Sequence, residues 1–180
     1  MREITCMKPE YLISSLELVE EVFTDHEGPE EGRTVRALVE EIRSKPYYLP
    51  ELELLMLVDG EPVGYVMFSR FHIEGRYDDR LLLLSPAAVK TSLQRQHICR
   101  DLIEYGFRRA RELGYTAVMV EGNPANYRSR GFETSAKHGI VAAPSVHLPH
   151  PDCLMVTELV PGGLDGIHGE VNYEMYKTLT

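Results

Sequence analysis

Between Ser92 and Arg100 the chain reads SLQRQHICR, directly after the apolar run LLLLSPAAV of Leu81–Val89 and directly before DLIEYGFRRARELG. This is a strand, a short turn and an amphipathic helix. Amides that open such a helix point at whatever lies in front of them, and the helix dipole favours an anion there. Phosphate cradles of this kind usually carry glycine in the turn, because glycine brings no side chain and accepts left-handed dihedrals. Here the corresponding positions hold His97 and Cys99, while Arg95 and Arg100 add positive charge. The turn is therefore either an anion site with unusual side chains or a plain connection that binds nothing.

A second group of chemically capable residues is H-x-x-H-x-x-C at His147, His150 and Cys153, with His138 upstream. Zinc takes such ligands tetrahedrally, but this spacing matches no familiar finger, and Pro144, Pro149 and Pro151 imply an extended loop. No metal is expected. A long irregular segment of this type more commonly covers a pocket, to which His168 and Tyr173 of the tail could contribute.

These residues sit in a chain of 180 residues with 43% hydrophobic content and a formal net charge of −9. That suits one domain over 1–180 with a sizeable core. The acidic balance argues against nucleic acid or an anionic membrane as partner, either of which would want clustered Lys and Arg. The start MREITCMKPEYL has no apolar leader core, and no run approaches the ~20 apolar residues of a membrane helix. A cytoplasmic protein is the expectation. Cys6, Cys99 and Cys153 are odd in number and widely spaced, as reduced thiols would be.

The elements that must position the chemistry follow from periodicity. Arg2–Met7 alternates like a strand. Pro9 is expected to open a helix with Leu12, Leu16, Val19 and Phe23 on its buried face. DHEGPEEG reads as a loop, and RTVRALVEEIRSK as a second helix ending at Pro46. ELELLMLVDGEPVGYVMFSRFHI reads as two strands joined through Asp59-Gly60. Leu81–Val89, nearly continuous in apolar residues, is a strand buried on both faces. A helix from about Ile98 to Leu113 places Ile98, Leu102, Gly106 and Ala110 in one stripe. A fifth strand YTAVMVEG, a short helix over Pro124–Arg130, a strand CLMVTELV and a Gly-rich carboxy-terminal extension from about 161 to 180 complete the chain. Two hairpin-linked strands followed by a βαβ unit imply a mixed sheet with helices on both faces.

The order of these elements, the strand LSPAAV, the turn QRQHIC and the segment GNPANYRSRGF together resemble the GNAT superfamily of acetyl-coenzyme A dependent N-acetyltransferases over nearly the whole chain. The GNP-x-x-Y segment and the tail ELVPGGLDGIHGEVNY look like a bacterial branch whose substrates are mostly unassigned. The resemblance implies an α/β fold with a mixed central sheet of six to seven strands, whose fourth and fifth strands splay apart to admit the pantetheine arm. It implies acetyl-coenzyme A as co-substrate and a small-molecule or peptide amine as acceptor, with a homodimer left open.

The family's cofactor turn, Q/R-x-x-G-x-G/A, falls on Gln94, Arg95, Gln96, His97, Ile98 and Cys99, with Arg100 following. Gln94 matches, Cys99 is a small residue where the family accepts alanine, and His97 departs from the pattern: its imidazole either blocks a diphosphate or swings outward and donates to it. By resemblance, the backbone of Ala87, Ala88 and Val89 pairs with the pantetheine arm, which small side chains permit, although alanines also fill narrow strand ends. Tyr127, placed before Gly131-Phe132 as the family places it, is implied to be the general acid that protonates the departing thiolate; a packing role is the alternative. Asn123 and Asn126 either bond the pantetheine amides or cap the short helix. For the proton of the amine, Glu121, His72 and Glu74 are the nearest candidates. Two functions are thus open: an N-acetyltransferase acting by direct attack, and a ligand-sensing or protein-binding module whose turn His97 disables.

Overall fold

The computed structural model describes residues 1–180. Strand β1 (Arg2–Cys6) leads through a 3-10 turn at Pro9–Tyr11 into helix α1 (Leu12–Glu27) and then α2 (Pro29–Arg43). Strands β2 (Glu53–Val58), β3 (Glu61–Arg70) and β4 (Leu81–Val89) follow, then α3 (Ile98–Glu112), β5 (Ala117–Glu121), and the one-turn helix α4 (Pro124–Tyr127). The remainder is β6 (Glu133–Thr134), β7 (Ile140–Ala142), β8 (Leu154–Glu158) and β9 (Gly169–Val171). Seven strands form one mixed sheet in the order β1-β2-β3-β4-β5-β8-β6, and β7 pairs in parallel with β9 beside it. No helix is long and apolar enough to cross a membrane.

Strand alternation divides the core. Leu55, Leu57, Leu81, Leu83, Ala117 and Met119 face α1 and α2, while Leu54, Met56, Leu82, Leu84, Val118 and Val120 face α3. Helices thus cover both faces, as the continuous apolar run of β4 requires. The stripe Ile98, Leu102, Gly106 and Ala110 of α3 is buried as its spacing predicts. Gly106 lies so close to Phe68 that a Cβ there would sit 2.2 Å from the ring's Cε1. Asp59 (φ 50°) and Gly60 (φ 84°) make the two-residue hairpin turn between β2 and β3, in which both central residues need positive φ.

Three sequence expectations shift. Pro9 opens a 3-10 turn, and the α-helix begins only at Leu12. The face of α1 that meets the sheet is Ser15, Leu16, Leu18, Val19 and Val22, leaving Leu12 39% exposed at the protruding first turn. DHEGPEEG is not a loop: α1 runs to Glu27, Gly28 alone breaks it with φ 97°, and Pro29 starts α2 with its ring-fixed φ. The two helices cross tightly there, because a Cβ on Gly32 would lie 2.1 Å from Thr24 Oγ1.

What matters for function is where the sheet opens. β4 and β5 pair in parallel only at Leu81–Ala117, Leu82–Val118 and Leu83–Met119. Beyond Leu83, β4 keeps its antiparallel partner β3, with Ser85 and Pro86 both opposite Met67 in a bulge, while β5 stays with β8 out to the Glu121–Leu154 pair. The far half of β4 thereby has a free edge facing a wedge, and Pro86, which lacks an N–H, suits an edge position.

Candidate active site

At the end of the free edge, Val89 passes into a 3-10 turn at Thr91–Leu93 and then into residues 94–97. Gln94 lies back over the strand end: its Nε2 donates to Val89 O at 3.4 Å and sits 2.8 Å from His26 Nε2 of α1. Thr91 Oγ1 donates to Asp25 at 3.0 Å, so the tip of α1 fixes the turn from one side. Arg2 of β1 donates to the Gln96 side chain at 3.3 Å from the other.

Arg95 (φ 63°) and His97 (φ 65°, ψ 15°) are both left-handed, and His97 is the N-cap of α3. His97 occupies the backbone conformation that a glycine would take there, one that His adopts more readily than most residues. Its side chain is exposed. Asp101 N is the first amide of the helix to find a carbonyl, at His97 O, 2.9 Å. The amides of residues 95 to 100 have no acceptor in the protein. Six consecutive N–H groups without an acceptor, the last three in the first turn of a helix, have the donor chemistry that suits an anion. Arg100 binds Asp101 at 3.1 Å, so its charge is partly spent inside the helix.

Cys99 projects inward from the first turn of α3 and is partly buried beside Arg130 and Tyr127. Burial pushes its thiol pKa up against the opposing pull of the Arg130 guanidinium, so it is a neutral space-filling group. Arg130 was not singled out by sequence. It donates to Asn126 O at 2.6 Å, and its Nε has no partner.

Tyr127 ends α4 and packs edge-on against Phe132, with ring centroids 5.7 Å apart. Gly122 makes room for that ring: a Cβ there would lie 2.6 Å from Tyr127 Cε2. This requirement is invisible in the motif GNP-x-x-Y. Burial, with a smaller contribution from Cys99, raises the phenol to about 12, and no protein group hydrogen-bonds the hydroxyl. Asn123 is a cap, its side chain accepting from Ala125 N at 3.0 Å, whereas the Asn126 side chain is free and lines the cleft.

The wedge between β4 and β5 opens into a cleft of about 970 Å³. Its walls are Leu83–Ala87 of β4, Glu121, Gly122, Asn123, Asn126 and Tyr127 across the wedge, Val35, Leu38 and Ile42 of α2, and Tyr173, Glu174 and Tyr176 of the tail. Ala88 and Val89 lie beyond it toward the turn, Ala88 paired with Tyr65 of β3. Four carboxylates, Glu27, Glu31, Glu121 and Glu174, line the cleft with no Lys or Arg. Glu27 ends α1 and Glu31 lies in the first turn of α2, inside DHEGPEEG, whose loop-like composition does not mark them as cleft residues.

The three candidate proton acceptors separate. Glu121 lines the cleft and accepts from Tyr173 Oη at 2.7 Å. His72 Nδ1 instead accepts from Gly75 N at 3.2 Å, and Glu74 accepts from Glu170 N at 3.2 Å, both in the loop outside the cleft. His147 reaches the cleft wall. His150 caps a 3-10 turn by accepting from Asp152 N, His138 pairs with Glu133 at 3.1 Å, and His168 packs by Tyr77. No three His, Cys, Asp or Glu side chains converge as a metal site would need.

Comparison with known proteins follows the same geometry. The model of the acetyltransferase (GNAT) family matches residues 16–134. The uncharacterized N-acetyltransferase YhbS of Escherichia coli K12 is 32% identical over 116 residues, which is 64% of this chain and 66% of that protein, so the chain matches just under two thirds of this relative's length. A second uncharacterized N-acetyltransferase from the same strain, YjhQ, is 30% identical over 131 residues, 72% of this chain and 70% of that protein. The crystal structure of E. coli YhbS in complex with CoA superposes with a TM-score of 0.83 at 26% identity, covering 96% of this chain and 89% of that one. A GNAT family acetyltransferase from Brucella melitensis in complex with acetyl-CoA shares the fold, with a TM-score of 0.72 at 21% identity over 100% of this chain and 99% of that one. Family model, relatives and architecture agree, and the chain belongs to the acetyltransferase (GNAT) family.

Proposed function

We propose that the protein is an N-acetyltransferase that moves an acetyl, or another small acyl, group from coenzyme A to an amine of a small molecule or peptide by direct attack. The observation that carries this reading is the divergence of β4 from β5 after the Leu83–Met119 pair, which gives a free strand edge leading from a run of unpaired amides to a cleft with a free phenol. Extended pantetheine amides suit the edge at Ala87, Ala88 and Val89 as an added strand would. The amides of residues 95 to 100 suit the diphosphate, with Gln94 fixing the turn and Arg95 and Arg100 adding charge. YhbS and the Brucella melitensis protein bind CoA and acetyl-CoA in their crystals, which supports the same ligand here.

The acceptor's amine nitrogen attacks the thioester carbonyl, and Tyr127 gives its proton to the leaving sulfur. A free thiol has a pKa of about 8.5, but sulfur leaving a tetrahedral intermediate is more basic, so a phenol raised to about 12 remains a protonated donor throughout the neutral range. The acidic cleft lining favours an amine, cationic in water, over an anionic acceptor. The sensor reading requires His97 to spoil the turn. Its exposed imidazole and glycine-like dihedrals favour the enzyme instead.

Calorimetric titration of the purified protein with acetyl-coenzyme A, followed by thiol release with a panel of amines, tests the proposal. Saturable binding and amine-dependent release, lost by at least tenfold in Tyr127→Phe with affinity kept within twofold, are expected. A folded protein that binds no coenzyme A would overturn the reading.

A further inference from the structure

The carboxylates of α1 and α2 fall into two groups. Glu20 pairs with Arg36 at 2.9 Å, and Glu41 accepts from Lys177 N at 2.7 Å and Thr178 N at 2.8 Å, which ties the tail to the last turn of α2. Glu27 and Glu31 have no such partner and line the cleft, as does Glu174 of the tail. With Glu121 they give the cleft four negative charges; it has no Lys or Arg, and His147 is its one basic side chain. Like charges gathered in one cleft repel one another, and a bound cation relieves that repulsion.

Among these carboxylates the wall is hydrocarbon. Glu31, Val35, Leu38 and Ile42 recur at helical spacing on one face of α2, and Phe23 of α1 and Leu83 of β4 add to the apolar lining. At 1.5 Å per residue this stripe carries the cleft about 10 Å from Glu31 to Leu38, toward the end of α2 that the tail crosses. A second observation points to a ligand independently of the charges. Tyr176 lines the cleft and is fully buried, and its hydroxyl has no partner in the protein. A buried hydroxyl ordinarily has one, and an N–H donor on a ligand would supply it.

We propose that the acceptor is an aliphatic diamine or polyamine: one nitrogen meets the thioester beside Tyr127, and a second, a few methylenes away, keeps its positive charge among the cleft carboxylates. This rests on the acetyltransferase reading. Methylenes suit the wall of Val35, Leu38 and Ile42, where the hydroxyls of a sugar would lose water without gaining partners. An ammonium at the far end suits Glu27 and Glu31, whereas a carboxylate or phosphate there meets like charge. In the transfer the reacting ammonium gives one proton to solvent, and the freed pair forms the C–N bond to the acyl carbon. The C–S bond breaks with its pair passing to sulfur, which takes the Tyr127 proton, and the surplus proton on nitrogen restores Tyr127. Ammonium and thioester become amide, thiol and one proton, and the far ammonium is unchanged. The product carries one cationic nitrogen where the substrate carried two, so the cleft holds it less firmly and each acceptor is acetylated once.

The experiment compares three acceptors of nearly equal length on the full chain at low salt: putrescine, pentylamine and δ-aminovalerate, whose far ends are cationic, neutral and anionic. With acetyl-coenzyme A saturating, kcat/KM should fall at least about tenfold at each step of that series, mostly through KM. Raising the salt from about 0.05 M to about 0.5 M should shrink the preference. Glu27→Gln combined with Glu31→Gln should bring putrescine to within about threefold of pentylamine. The same charge removed by Glu17→Gln with Glu21→Gln, exposed on α1 outside the cleft, should leave the preference intact. Mass spectrometry should find one acetyl group per putrescine. Equal kcat/KM for putrescine and pentylamine, or a preference that survives loss of Glu27 and Glu31, would overturn the assignment. So would faster transfer to an aminoglycoside or a short peptide, or no transfer to putrescine by a protein that binds acetyl-coenzyme A, and each of these leaves coenzyme A binding in place. A folded protein that binds no acetyl-coenzyme A in calorimetry would overturn the acetyltransferase reading, and the assignment with it.

Discussion

Replacing His97 with glycine isolates the one side chain that departs from the family's cofactor turn. The residue holds φ 65° and ψ 15°, a conformation that costs an L-residue about 1–2 kcal/mol and costs glycine almost nothing. Against that relief stands the greater backbone freedom of glycine in the unfolded chain, worth about 0.4–1 kcal/mol. The net is a stabilisation of about 0–1.5 kcal/mol, or roughly 0–6 °C in the thermal midpoint of a domain this size. Coenzyme A affinity should change less than threefold. The amides that suit the diphosphate belong to the backbone, which keeps its course, and the imidazole that is removed is exposed and makes no hydrogen bond in the protein. Calorimetry with coenzyme A and a melting curve give both numbers. His97→Val supplies the contrast: a β-branched residue is a genuine outlier in this region, so it should lower stability and weaken binding together. A gain of a hundredfold or more in His97→Gly would refute the reasoning, because it would mean that the imidazole obstructs the ligand.

Three further outcomes follow from the structure. With the Tyr127 phenol raised to about 12, kcat should show no alkaline fall between pH 8 and 11, and a decline with an apparent pKa near 10 would show that burial does not hold the phenol up. Gly122→Ala brings a methyl to 2.6 Å from Tyr127 Cε2, so the ring must move; kcat should drop at least tenfold while circular dichroism stays native, and full activity would show that the ring position does not matter. Arg43→Met strips the fully buried Glu53 of its ion-pair partner at 2.8 Å, leaving only the Tyr48 and Tyr65 hydroxyls, and should cost about 3–5 kcal/mol in chemical denaturation. A loss under 1 kcal/mol would show that Glu53 is satisfied without the charge.

The sheet and the long helices were legible because their signals are periodic. The stripe of α3 and the unbroken apolar run of β4 each admit one burial pattern, and the order of elements then leaves few topologies. The α1–α2 boundary was not legible, because DHEGPEEG has loop composition, while a single residue at Gly28 and a proline at the first helical position turn the chain in no more space than that. The candidate site divides along the same line. Tyr127 and the turn from Gln94 to Cys99 are local in sequence, and a motif can hold them. Glu121 and Tyr173 could be named from their order along the chain but not paired, and Glu27 and Glu31 on α1 and α2 were hidden in a segment of loop composition; the four share one cleft through the tertiary fold alone. His97 shows the limit from the other side. A glycine in a motif stands for two separate demands, a positive φ and an absent side chain, and a substitution looks disabling when both are assumed to hold. In this turn the positive φ is present and the side chain points to solvent, so only the first demand acts, and histidine meets it at modest cost.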